Sequence, residues 1–64
     1  MTLQFQVPSM ACEACAETIT KAVTVLDPQA QVQADLKTKQ VTIETQIQEL
    51  AVRDAIAAAG YPVP

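Results

Sequence analysis

Ala30-Gln31-Val32-Gln33-Ala34 and Gln40-Val41-Thr42-Ile43-Glu44, joined by Asp35-Leu36-Lys37-Thr38-Lys39, fill residues 30–44 with two runs that alternate apolar and polar. Period two marks a strand that buries one face and wets the other, and the connector is long enough for a hairpin loop, so the runs pair antiparallel. Each side of this hairpin reads as a helix. Before it, Cys15, Ile19, Ala22, Val23 and Leu26 form an i, i+4, i+7, i+8, i+11 stripe, leaving Glu17, Thr18, Lys21 and Thr24 for solvent; Asp27-Pro28 stops the helix. After it, between Ile47 and Ala59, Val52, Ala55, Ile56 and Ala59 share a face, while Gln48, Glu49, Arg53 and Asp54 are polar. Leu50 fits that stripe poorly, and Gly60 suits a left-handed C-terminal cap. Outermost lie an alternating Leu3-Gln4-Phe5-Gln6-Val7, ended by Pro8-Ser9, and Tyr61-Pro62-Val63, which can form only a short last strand. Prolines at 62 and 64 favour an edge or a frayed end there. The order β-α-β-β-α-β predicts an α+β, ferredoxin-like sandwich: a four-stranded antiparallel sheet with two helices on one face, in a single domain over residues 1–64. Leu3, Phe5, Val7, Val32, Val41 and Ile43 then lie beneath the helices, and Gln4, Gln6, Gln31, Gln33, Gln40 and Thr42 on the open face.

Composition narrows the function. Eleven alanines and only Phe5 and Tyr61 as aromatics make a thin core with little apolar surface left for a drug-sized pocket. Seven acidic against four basic residues, a net charge of −3 and no basic run argue against nucleic acid as partner. No apolar stretch approaches the roughly 18 residues of a membrane span, so no direct membrane insertion is expected. No basic segment followed by an apolar one opens the chain, which as given reads as cytoplasmic. The absence of histidine removes the usual general base and the commonest metal ligand, so the chain is not expected to be an enzyme. Any chemistry falls to Cys12 and Cys15.

These cysteines stand in Met10-Ala11-Cys12-Glu13-Ala14-Cys15, at the junction of the first strand and first helix. Cys12 belongs to the loop and Cys15 to the opening turn, which gathers both sulfurs at a helix N-terminus where unpaired N–H groups and the dipole favour thiolate. Two thiolates are soft donors suited to Cu(I), zinc or iron–sulfur clusters. Structural zinc wants four ligands and clusters usually want four cysteines, so only a dimer could supply those; Cu(I) is content with two. An open two-coordinate site also admits an incoming thiolate, so metal can pass to another cysteine pair by ligand exchange. Other readings stand beside this one. A redox dithiol has the thioredoxin precedent, although no Trp precedes Cys12 and no Pro separates the cysteines; a packing role for both is opposed by Glu13 between them. Met10 reads as a hydrophobic anchor of the loop or a thioether ligand. Tyr61 follows the second helix, which returns beside the same loop, and reads as a site neighbour or as plain packing.

The Met-X-Cys-X-X-Cys signature at 10–15, the element order and Ala59-Gly60-Tyr61 closely resemble the heavy-metal-associated domain over essentially the whole chain. Length and the Val7-Pro8-Ser9-Met10 lead-in are similar to free-standing bacterial copper metallochaperones, especially cyanobacterial ones. The resemblance implies a Cu(I) carrier that docks on the metal-binding domain of a copper-transporting P-type ATPase, or else the N-terminal domain of such an ATPase. It implies Cys12 and Cys15 as ligands, Met10 as the buried prop of the loop, Tyr61 as the variable residue beside the metal, and a copper-bridged homodimer as an accessible state. Mercuric-ion or zinc carriage stays open, since mercury also favours two thiolates. Ser9 where many relatives have Gly, Ala11 where Thr or His is common, and Asp27-Pro28-Gln29-Ala30 in place of a Gly-Val turn depart from the pattern without removing a ligand.

Overall fold

The computed structural model describes residues 1–63; Pro64, one of the two prolines expected to weaken the last strand, lies outside them. The elements are β1 (Thr2–Gln6), α1 (Glu13–Leu26), β2 (Gln31–Asp35), β3 (Gln40–Glu44) and α2 (Glu49–Ala58). The hairpin forms as the alternation requires, and β1 joins the other side of β3, giving an antiparallel sheet of order β1-β3-β2. Register follows the pattern of apolar residues. Leu3, Ile43 and Val32 make one row across the sheet, and Phe5, Val41 and Ala34 the next. A one-residue slip would turn every one of these side chains to the other face.

Ile19 and Val23 of α1 and Val52 and Ile56 of α2 join Phe5, Val41 and Ile43 in one buried cluster, so both helices cover the same face of the sheet. The open face carries Gln4, Gln6, Gln31 and Gln33 exposed, as expected. Ile43, between Leu3 and Val32 in the middle strand, is wholly buried; truncation there to alanine costs roughly 2–5 kcal/mol. Leu3 and Val32, its neighbours on the two edge strands, are half-buried rather than buried. Leu26, assigned to the α1 stripe, is 41% exposed at the last turn, where the helix runs past the sheet. Leu50 is exposed, in keeping with its poor fit to the α2 stripe.

The fourth strand is the one correction to the architecture. Among the described residues the sheet has three strands, and Tyr61-Pro62-Val63 packs against the core without pairing to β1. Pro62 has no N–H to give a ladder, and the Val63 carbonyl is taken by the Arg53 guanidinium at 3.1 Å. The turn leading into this segment is closed by a Schellman motif: Tyr61 N–H donates to the Ile56 carbonyl and Gly60 N–H to that of Ala57. Gly60 makes it possible with φ +100°, a conformation other residues enter at a cost.

Candidate metal centre

The loop that carries the cysteines is built from β1 outward. Val7 N–H donates to the Lys39 carbonyl in the hairpin at 2.8 Å, tying the end of β1 to the β2–β3 loop. Pro8, with φ preset for the second position of a β-turn, then reverses the chain, and Met10 N–H donates back to the Val7 carbonyl at 3.0 Å. The Met10 side chain is wholly buried in the core cluster, the position of an anchor. Its carbonyl accepts a 2.8 Å hydrogen bond from the Lys39 ammonium. Everything up to Met10 is therefore held on three sides.

Beyond Met10 the ties to other elements give way to those of α1 itself, beginning with Ala16 N–H donating to the Cys12 carbonyl at 3.2 Å. Ala11 and Cys12 are exposed, and Cys12 is the N-cap of α1 with extended backbone and no capping bond from its side chain. Serine, threonine, asparagine or aspartate would use this position to satisfy a helix N–H. Cysteine caps no N–H here, and its sulfur faces that of Cys15 instead. Cys15, one turn into the helix, is half-buried against the core, and the two free sulfurs lie 3.2 Å apart.

The Cys15 thiol is lowered from the ordinary 9.0 to about 7. The Tyr61 hydroxyl contributes most to the lowering, ahead of the Cys12 side chain and the Ala11 N–H, and burial opposes them. Tyr61 in turn is raised, chiefly because its proton is held by Cys15. The Schellman turn at Gly60 brings this hydroxyl to the site, so Tyr61 is a site neighbour as well as a packed side chain. Two participants escaped the sequence. Thr18, whose hydroxyl donates to the Ala14 carbonyl, acts on Tyr61 from α1, and Lys39 is in sequence only the last residue of the hairpin loop; neither gives a signal until the backbone brings it to the site.

Among the described residues no group of three or more His, Cys, Asp or Glu side chains gathers to hold a metal, so the donor set at this loop is two sulfurs. No helix is long and apolar enough to cross a membrane. Two shallow depressions lie away from the cysteines, one lined by Met1, Asp27, Glu44 and Thr45, the other by Gln33, Leu36 and Thr42. The candidate centre is the exposed end of this loop and the first turn of α1, apart from both depressions.

Comparison with known proteins agrees with this geometry. The chain is 55% identical to the copper chaperone Atx1 from Synechocystis PCC6803, in a trimeric form carrying a histidine-to-tyrosine substitution; the match covers 97% of this chain and 98% of that one, with a TM-score of 0.95. It is likewise 55% identical to the cyanobacterial copper metallochaperone ScAtx1, over the full length of both chains, with a TM-score of 0.82. The periplasmic component of the mercuric transport protein of Pseudomonas aeruginosa is 33% identical over 66 residues, covering 95% of this chain and 70% of that protein. The profile of the heavy-metal-associated domain matches residues 4–62, which take in the whole cysteine loop and Tyr61, and the chain belongs to that family.

Proposed function

We propose that this protein is a cytoplasmic Cu(I) carrier without catalytic turnover. Cys12 and Cys15 ligate one Cu(I) as thiolates and pass it to the cysteine pair in the metal-binding domain of a copper-transporting P-type ATPase. The observation that carries the reading is the pair of free sulfurs 3.2 Å apart where an exposed loop enters α1, with no third His, Cys, Asp or Glu gathered beside them among the described residues. Soft thiolates with low coordination number suit Cu(I), whereas a closed zinc site needs four ligands. A metal–thiolate bond near ~2.3 Å sets two sulfurs about 4.6 Å apart across an ion held linearly. The pair must therefore open, and the exposed, uncapped Cys12 is the side chain free to move.

Transfer then proceeds by substitution. An incoming thiolate bonds to the bound ion, the Cu–Cys12 bond breaks, and the sequence repeats at Cys15; each thiolate released takes up a proton from solvent, and no electron moves. Relatives named as copper chaperones at 55% identity support this reading over mercuric carriage, which the 33% identical Pseudomonas relative favours. A trimeric form of the Synechocystis chaperone is consistent with self-association, here as a copper-bridged dimer.

The test is titration of the reduced, oxygen-free protein with Cu(I) against a calibrated chelator, with size followed throughout and Zn(II) and Hg(II) run in parallel. Near-stoichiometric Cu(I) that outcompetes the chelator and vanishes in Cys12→Ser/Cys15→Ser establishes the carrier. Binding no tighter than that of a free dithiol, together with reduction of a test disulfide, would mean a small redox protein instead.

A further inference from the structure

Lys39 is the one residue other than glycine with positive φ among those described, at +63°. Glycine or asparagine would occupy this left-handed position at less cost, so a lysine there points to use of its side chain. The left-handed turn aims the Lys39 carbonyl at Val7 N–H, and the ammonium reaches the Met10 carbonyl at 2.8 Å. One residue of the hairpin thus grips both ends of the Val7–Met10 turn, once by backbone and once by a charge-assisted bond. The residue is half-buried.

We propose that Lys39 is a positioning residue for metal transfer: it clamps the base of the cysteine loop to the β2–β3 hairpin, so that ligand exchange moves Ala11 and Cys12 alone. The contrast within the loop carries the inference. Met10 is bonded at its N–H and its carbonyl and buried at its side chain, whereas two residues later Cys12 is exposed and its side chain is tied to no backbone group, its sulfur facing that of Cys15. A hinge works only against a fixed support. Without the clamp, opening of the sulfur pair would spread into the Pro8–Met10 turn, Met10 would loosen from the core, and the ion would be held by a less defined pair. The transfer role rests on the carrier reading above; the clamp itself does not.

Two variants separate the possibilities. Lys39→Met keeps the stem and the backbone conformation but removes the ammonium, and Lys39→Arg keeps an ionised donor. In the metal-free protein, Lys39→Met is expected to raise hydrogen exchange at the Met10 amide at least fivefold, with Val41 and Ile43 amides within twofold of wild type and Lys39→Arg restoring Met10. In the Cu(I)-loaded protein, Lys39→Met is expected to release metal to a chelator at least threefold faster. Unchanged Met10 exchange, a rise shared by the strand amides, or Lys39→Arg behaving like Lys39→Met overturns the clamp. Normal Cu(I) uptake by wild type with an unchanged release rate in Lys39→Met overturns the transfer role alone. Failure of the wild type to take up Cu(I) overturns the carrier reading, while the exchange measurement on metal-free protein still decides the clamp.

Discussion

The two ends of the sheet are made of the same parts, a strand end, a loop and a helix N-terminus, and they are finished in opposite ways. At the far end from the cysteines Thr45 is buried, and every polar group it owns is used. Its hydroxyl donates to Asp27 Oδ2 at 2.7 Å and accepts from Ile47 N–H at 3.1 Å. Its N–H donates to the Met1 carbonyl, and its own carbonyl accepts from the Met1 amine, both at 3.0 Å. At the cysteine end Cys12 is exposed and, like Gln48 at the start of α2, makes no capping bond with its side chain; its sulfur instead faces that of Cys15 at 3.2 Å. The far end spends a buried hydroxyl on joining Asp27 to Ile47; the cysteine end sets an exposed sulfur against that of Cys15.

Cys12→Ser/Cys15→Ser breaks the comparison most severely. Hydroxyls replace both thiolates at the loop, so on the carrier reading Cu(I) affinity falls by far more than the roughly 10–100-fold that loss of an outer-shell partner costs. Chelator competition checks this. Because Cys12 makes no capping bond and Cys15 is only half-buried, circular dichroism is expected to show the fold retained.

Thr45→Val does the reverse. It removes the hydroxyl from between Asp27 and Ile47 while keeping the branched shape, at a cost of about 1–3 kcal/mol. In a domain of this size each kcal/mol lowers Tm by about 4–8 °C, which a thermal melt resolves, and Cu(I) affinity is expected to stay unchanged. The same network sets an acid limit. Asp27 is held below the usual carboxylate range, first by the Thr45 hydroxyl and then by Gln29 N–H, so its contribution is present at neutral pH and fades as pH falls through its own lowered value.

Tyr61→Phe sharpens the site without touching the far end. The Tyr61 hydroxyl is the largest cause of the lowered Cys15 thiol, so its loss moves the inflection of the alkylation rate up from about 7 toward the ordinary 9.0. At pH 7 the thiolate fraction, and the rate with it, falls several-fold, an amount set by how much of the shift belongs to this one bond. Linkage has the same sign. The lowered thiol adds stability fully above pH 9, progressively less down to about 7, and none below, and the variant loses part of that increment.

What the sequence made legible follows from where periodicity acts. Three strands, two helices, the buried Met10 and the pairing of Cys12 with Cys15 all rest on local spacing, and each is where the pattern places it. The last strand failed because Tyr61-Pro62-Val63 is too short to carry a pattern, and a proline in a three-residue segment removes the donor that would have paired. Lys39 and Thr18 were invisible for another reason: their partners stand on other elements, Lys39 29 residues from Met10 in sequence, and a lone polar residue on a loop or helix face carries no spacing to read. Tyr61 lay between these cases. Helix end and topology placed it near the loop, but only the backbone shows its hydroxyl on Cys15.

Gly60→Ala has the smallest effect and asks how Tyr61 reaches the site at all. An added Cβ at Gly60 meets nothing within 4 Å, so the cost is conformational alone, that of holding an alanine at φ +100°, about 1–2 kcal/mol. The chain can meet it by tolerating the strain or by unwinding the Schellman turn. If the turn holds, Tm drops by about 4–8 °C per kcal/mol while the Cys15 inflection stays near 7, because Tyr61 N–H still bonds the Ile56 carbonyl and the hydroxyl keeps its seat. If the turn unwinds, the inflection rises as in Tyr61→Phe although the tyrosine is intact. The expected outcome is the first, since Tyr61 also packs on the buried cluster and the Val63 carbonyl is tied to Arg53, two anchors beyond the glycine that resist release. A melt and an alkylation profile on one variant therefore separate the glycine's contribution to the fold from its contribution to the site.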